Sequence, residues 1–169
     1  LDLMVSLDLY LNETTRHADV ILPVPSQLQR SHYDAAFYQF AVRNIANYSA
    51  PVLDRPEDLP PEWWTLLRLT GVLQGRGPDP DVAAMDDELA GLLVALAVAD
   101  PHGPVHGRDA AELHEALAGR RGPERILDLN LRTGPYGDGF GGRTEGPGLS
   151  LDLLVEHPHG IDLGPLEPR

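Results

Sequence analysis

Cysteine and lysine are both absent from the 169 residues. Without a thiol the chain can form no disulfide and has no Cys nucleophile. It also has no thiolate zinc site, and it cannot ligate an iron–sulfur cluster from within. All 13 basic residues are arginines, a GC-rich coding bias that accompanies abundant Gly, Pro, Ala and Leu. Long apolar runs are missing too. The longest, LAGLLVALAVA at 89–99, covers 11 residues, about half a bilayer span, so no segment is suited to membrane insertion. Acids outnumber arginines 26 to 13, giving a net charge of −13 and a pI near 4.7. Such a surface repels a phosphate backbone, and no basic face for nucleic acid is visible in the sequence. A secretory leader is not visible either; the expected location is cytoplasmic, with export after loss of a leader as the alternative. The opening LDLMVSLD has no initiator Met, and the close on GPLEPR has no helix cap; both ends read as cut from a longer protein.

What is present divides the chain in two. Hydrophobic residues make up 42%, enough for a packed core. None of the 17 glycines precedes Gly71, so the first 70 residues are built from regular elements and Pro-marked corners. Residues 1–56 carry 6 acids against 4 arginines (net −2), and residues 57–169 carry 20 against 9 (net −11). Segment 1–56 reads as α/β. Leu3 to Leu7 predicts a buried strand ended by Asp8, and Asn12 can cap a brief helix through Ala18. Asp19-Val-Ile-Leu predicts a second buried strand stopped by Pro23 and Pro25, and 36–49 reads as extended. Strand, short crossover, strand is the pattern of a parallel sheet.

Segment 57–133 reads as helical and 134–169 as a Gly/Pro-rich loop and linker with one short helix. Pro60-Pro61 introduces EWWTLLRLTGVL, where Trp63, Leu66, Leu67 and Leu69 can share a buried face. Val82 to Ala99 predicts an Ala-rich helix. Asp109 with Glu112 caps DAAELHEALA, which Gly119 is placed to end, and Pro123 begins PERILDLNLR. Seven glycines in the 15 residues 134–148 predict a long flexible loop, and LSLDLLVE a last short helix.

Few of these elements carry a chemical signal. GDGFGG at 137–142 matches the letters of a dinucleotide fingerprint, but a helix precedes it where a strand should enter, so it reads as loop. His102 and His106 are interrupted by Pro and Gly, as are His157 and His159, and read as solvated loop residues. Asn-x-Ser/Thr sequons at Asn12 and Asn47 have no secretory context. No glycine flanks Ser6, Ser26, Ser31 or Ser49 to form a nucleophile elbow. Asp8 is better placed. At the carboxyl edge of a parallel sheet an acid can accept hydrogen bonds from a ribose or a base. The plainer alternative is a strand-end Asp that caps the following turn.

LDLMVSLDLYLNETTRHADVILPVPSQLQR resembles a stretch of the large subunits of molybdopterin-dependent oxidoreductases, the family of formate dehydrogenases, nitrate reductases and dimethyl sulfoxide reductase. The likeness rests on a strand ending in Asp8, then Glu13-Thr14, Ala18-Asp19, Val20-Ile21-Leu22 and Pro23, with Glu62-Trp63-Trp64 before TLLRL. It is clearest over residues 1–73, and GPYGDGFG and HPHGIDLGPLEPR are similar to the region before the family's final domain. The chain departs at Gln29, Arg30, Ser31, His32 and Tyr33, where members usually show a Gly-containing turn.

The resemblance implies a fragment of such an oxidoreductase, a partial Rossmann-like lobe followed by a helical, loop-rich region. This fragment would hold part of a molybdopterin guanine dinucleotide and would be inactive alone. Molybdenum or tungsten would be ligated outside this chain, as would any iron–sulfur cluster, in the part preceding it. Carried over by motif, Leu7 and Asp8 would sit at the guanosine, Arg30 near the phosphates or base, Asn12 in the loop facing the nucleotide, and Glu62 at a further polar contact. Glu13, Thr14 and Asp19 would fix the loop. The expected partners are the rest of the parent polypeptide and an electron-transfer subunit. Two other readings stand beside it: an acidic protein-interaction module without cofactor, motivated by the charge of 57–169, and a family member that has lost its metal and serves as a scaffold.

Overall fold

The computed structural model describes residues 1–143 and 145–166, Gln39 in its backbone only. Helices take 38% and strands 14% of the chain, a mixed α/β composition with one small parallel sheet. Strands β1 (Val5–Asp8) and β2 (Val20–Pro23) pair in parallel with Val5 opposite Val20 and Asp8 opposite Pro23. Between them the expected helix shrinks to a single 3-10 turn at Thr15–His17. Asn12 governs that turn: its Oδ1 accepts from the amides of Thr14 (2.9 Å) and Thr15 (3.0 Å). The Thr15 hydroxyl, buried, accepts from the Asn12 amide at 2.8 Å. Those side-chain bonds compete with helix propagation and close the turn early.

The expected burial of these two strands is corrected. Val5 is 41% and Val20 43% exposed, and Leu7, Ile21 and Leu22 are half-buried. Parallel strands are normally covered on both faces. Here β1 and β2 contact each other far more than any other element, so their apolar side chains meet water.

Segment 36–49 is only partly extended. The Asp34 carboxylate accepts from the amides of Ala36 (3.0 Å) and Phe37 (2.8 Å), and a 3-10 turn follows at Tyr38–Phe40. Around it lie β3 (His32–Tyr33), β4 (Arg43–Ala46) and β5 (Tyr48–Ser49), with β3 and β5 antiparallel. Tyr38 braces the corner. Its hydroxyl donates to the Asn47 carbonyl and accepts from the Asn47 amide, and its ring stands edge-on to Tyr33 at 5.4 Å.

The helices fall where caps and apolar spacing predict them. Helix α1 is Glu62–Leu73, α2 is Val82–Ala99 and α3 is Ala110–Ala116. Helix α4 is Gly122–Thr133 and α5 is Leu151–Glu156. Asp81 caps α2 through the Ala84 amide, Asp109 caps α3 through Ala111, and Ser150 caps α5 through Leu153. Two expectations change in detail. On α1 the buried residues are Thr65 and Gly71, while Leu66 is 49% exposed. Gly71 is the contact with α2, since a Cβ there would come within 2.7 Å of Pro80 and 2.8 Å of the Met85 sulfur. Helix α3 ends at Leu117, whose amide reaches the His114 carbonyl, ahead of Gly119.

The segment read as linker holds α5 and a strand, β6 (Ile161–Pro165), antiparallel to β4 with a bulge at Asn44/Ile45. One core cluster joins Ala46 and Tyr48 to Leu131, Leu149, Leu151 and Leu154; the other joins Val94, Val105, Leu113, Leu117 and Leu129. Elements from 1–56, 57–133 and 134–169 thus share one interior.

Helix α4 carries buried charge through that interior. Asp128, with no exposed surface, accepts from Arg132 (3.1 Å), Arg120 (3.2 Å) and the Leu151 amide (2.7 Å). Arg125, 1% exposed, donates to the Arg120 carbonyl at 2.8 Å and to Asp87 at 2.6 Å, with Asp86 at 3.3 Å. Burying such groups is tolerable because each is paired.

Candidate functional site

A cleft of about 1020 Å³ opens between the 29–35 segment on one side and α1 and the start of α4 on the other. Its first wall is set by a capping box in which Gln29 accepts from the Ser26 amide (2.9 Å) and donates to the Asp54 carbonyl (3.2 Å). That turn delivers Arg30, which ion-pairs with Glu62 in the first turn of α1. Glu62 is doubly favoured there, since a helix N-terminus attracts negative charge. Arg55 enters from the loop before α1, its Nη1 donating to the carbonyls of Pro56 (3.3 Å) and Leu59.

The opposite wall is held by a close contact. Gly122 has φ +58°, and a Cβ there would lie 2.5 Å from the Trp63 ring, so only glycine lets α4 begin against α1. Arg120 and Arg121 precede it, each drawn to carboxylates behind the wall: Asp128 and Asp152 for Arg120, Asp86 and Asp87 for Arg121. Tyr48, 7% exposed, donates to Glu124 at 2.6 Å. Burial pushes the Tyr48 hydroxyl up to about 12, and the Glu124 carboxylate adds to this against the opposing pull of Ser31 and Arg120. In a chain of net charge −13 the cleft sets four arginines (Arg30, Arg55, Arg120, Arg121) against two glutamates, which suits an anionic ligand.

Of the residues singled out from sequence, Arg30 and Glu62 meet in this cleft. Asp8 and Asn12 meet elsewhere, at the end of β1: Asn12 Nδ2 donates to Asp8 Oδ2 at 2.9 Å, and Asp8 Oδ1 accepts from the Leu9 amide at 2.7 Å. That is the bonding of an Asp that caps its own turn. Leu7 is half-buried in β1, and none of these three lines the cleft. Sequence reasoning missed Tyr48, Arg55, Arg120, Arg121 and Glu124 as lining, and it gave Trp63 to the core. Arg120-Arg121 ahead of Gly-Pro-Glu124 is a basic pair at a helix start and could have been noticed. Tyr48 and Arg55 carry no local signal.

The GDGFGG segment is a loop anchored on α4, without an entering strand. The Gly139 amide donates to the Arg132 carbonyl (2.9 Å), Arg132 donates to Asp138 (2.7 Å), and Arg108 donates to the carbonyls of Gly139 (2.8 Å) and Phe140 (3.1 Å). In its described part the 134–148 loop is tied to the rest of the chain through Arg108 and Arg132 and folded back on itself by Arg143, which donates to the carbonyls of Gly134 and Pro135. No group of three His, Asp or Glu that could hold a metal ion occurs among the described residues. Among the described residues no helix is long and apolar enough to cross a membrane. Comparison with family models, curated proteins and solved structures finds no match to this chain.

Proposed function

We propose that this chain is part of a molybdopterin-dependent oxidoreductase and contributes to the binding site of a molybdopterin guanine dinucleotide. Its β1–β2 pair would belong to a Rossmann-like lobe. The observation that carries the reading is the ion pair of Arg30 and Glu62. They stand 32 residues apart, both are assigned to the cofactor by the resemblance, and they meet on a cleft rich in arginine. The donor set fits the group: guanidinium forks match phosphate oxyanions, and the Trp63 ring lines the same cleft.

Arg30 would hold phosphate or base, Glu62 would orient Arg30 and take a polar contact, and Leu7, Asp8 and Asn12 would frame the guanosine from the end of β1. The bound cofactor supplies two-electron chemistry at a molybdenum or tungsten atom ligated outside this chain. The chain's own task is to bind and orient, so alone it turns nothing over. In the complete polypeptide, Asp8→Ala and Glu62→Gln should each lower the metal and guanine recovered per protein several-fold, because a charged acceptor or its partner is lost. Unchanged metal by mass spectrometry and unchanged guanine after acid hydrolysis in both variants would sink the reading.

The alternative, an acidic interaction module, has in its favour the exposed ridge of Leu89, Leu92 and Leu96 on α2. It requires binding to a basic partner that weakens steeply with salt. It also requires a cleft indifferent to nucleotides, so nucleotide binding there overturns it.

A further inference from the structure

Ten of the twelve described arginines stand within ion-pairing distance of a described carboxylate; Arg55 and Arg143 do not. Of these two, Arg55 alone lines the cleft. Its placement is not that of a loose surface side chain. Arg55 is half-buried, and two backbone carbonyls, Pro56 and Leu59, hold its Nη1. The opposite edge of the guanidinium, Nε with Nη2, donates to nothing among the described residues. That edge is the side-on fork that grips two oxygens of one oxyanion. A fixed cation whose fork has no partner and whose charge has no counter-charge among the described residues, in a chain of net charge −13, suits an anion.

We propose that Arg55 is the phosphate seat of the cleft and that the ligand seated there is an organic diphosphate. The seat rests on the cofactor reading above but names a residue which that reading leaves unassigned. The neighbouring arginines already share their charge with carboxylates. Arg30 is engaged by Glu62, Arg120 by Asp128 and Asp152, and Arg121 by Asp86 and Asp87. An anion on any of them competes with a carboxylate already in place. On Arg55 it competes with no described carboxylate.

The test is calorimetric titration of the 169-residue chain with guanosine diphosphate and, separately, with inorganic pyrophosphate. Arg55→Gln, Arg55→Lys and Arg143→Gln are titrated alongside, and thermal melting confirms that each variant folds. Both ligands should bind the unaltered chain. Arg55→Gln should weaken both about tenfold, the usual worth of a charged bidentate contact, and Arg55→Lys should fall between because it keeps charge without the fork. Arg143→Gln should match the unaltered chain. If guanosine diphosphate binds equally to a folded Arg55→Gln, the seat is wrong and the cofactor reading survives. If pyrophosphate binds through Arg55 and the guanosine adds nothing, the seat stands and the nucleotide reading fails. If neither ligand binds at millimolar concentration, the seat is overturned.

Discussion

Asp128 is the residue on which most of the interior electrostatics converge. Asp128→Ala takes one acceptor each from Arg120 and Arg132, which keep Asp152 and Asp138, and leaves the Leu151 amide without its acceptor, a loss of about 1–3 kcal/mol. Urea denaturation should show that loss, and a cost below that of a surface substitution would show the network to be dispensable. Tyr48 makes a separate prediction. The unfolded chain gives up this proton near pH 10 and the folded chain near 12. Stability from Tyr48 is therefore intact below about pH 10 and drains away as pH rises toward 12. Denaturation midpoints across that window should decline less steeply in Tyr48→Phe, and identical slopes would mean that Tyr48 does not hold its proton. Neither role was legible in the sequence. LDLN and ANYS look like any helix and any strand, and what distinguishes Asp128 and Tyr48 is the partner that arrives from 23 or 76 residues away.

Among the elements, helices were the legible part. The bounds of α1 and α2 follow from a diproline and from a capping Asp, both local signals. Asp109→Ala removes the acceptor for the Ala111 amide and should cost about 1 kcal/mol, read as a lower melting temperature; an unchanged value would move the start of α3 elsewhere. Strands were harder. β6 lies in IDLGP, whose Gly and Pro argue against a strand, and it exists because Arg43–Ala46 pairs with it from more than a hundred residues away. An ion pair of Arg43 with Asp162 (2.8 Å) fastens that pairing at its exposed edge. The burial of β1 and β2 was misjudged for a related reason. An apolar run says that a strand prefers cover and is silent on whether anything supplies it.

Taken whole, the molecule is unevenly consolidated. Its buried hydrophobic residues begin at Ala46 and continue to Leu154, so the described residues before Ala46 contribute none. Hydrogen exchange should therefore find amides of β1 and β2 opening well before those of α2 and α4, as a local event below global unfolding. Equal protection throughout would show that the parallel pair is as stable as the helical core. A ligand joining Arg30 to α1 and α4 would bridge the loosely and firmly packed parts, and the same exchange experiment with guanosine diphosphate should slow amides around 29–35. The docking of Trp63 on Gly122 adds an optical property to this architecture. The chain has two tryptophans: Trp64 lies beneath the Arg68 guanidinium at 5.2 Å, and Trp63 lines the cleft against bare backbone. With Trp64 replaced by Phe, the remaining emission comes from a single indole clamped between two helices, and its wavelength becomes a gauge of whether the cleft is wet or filled.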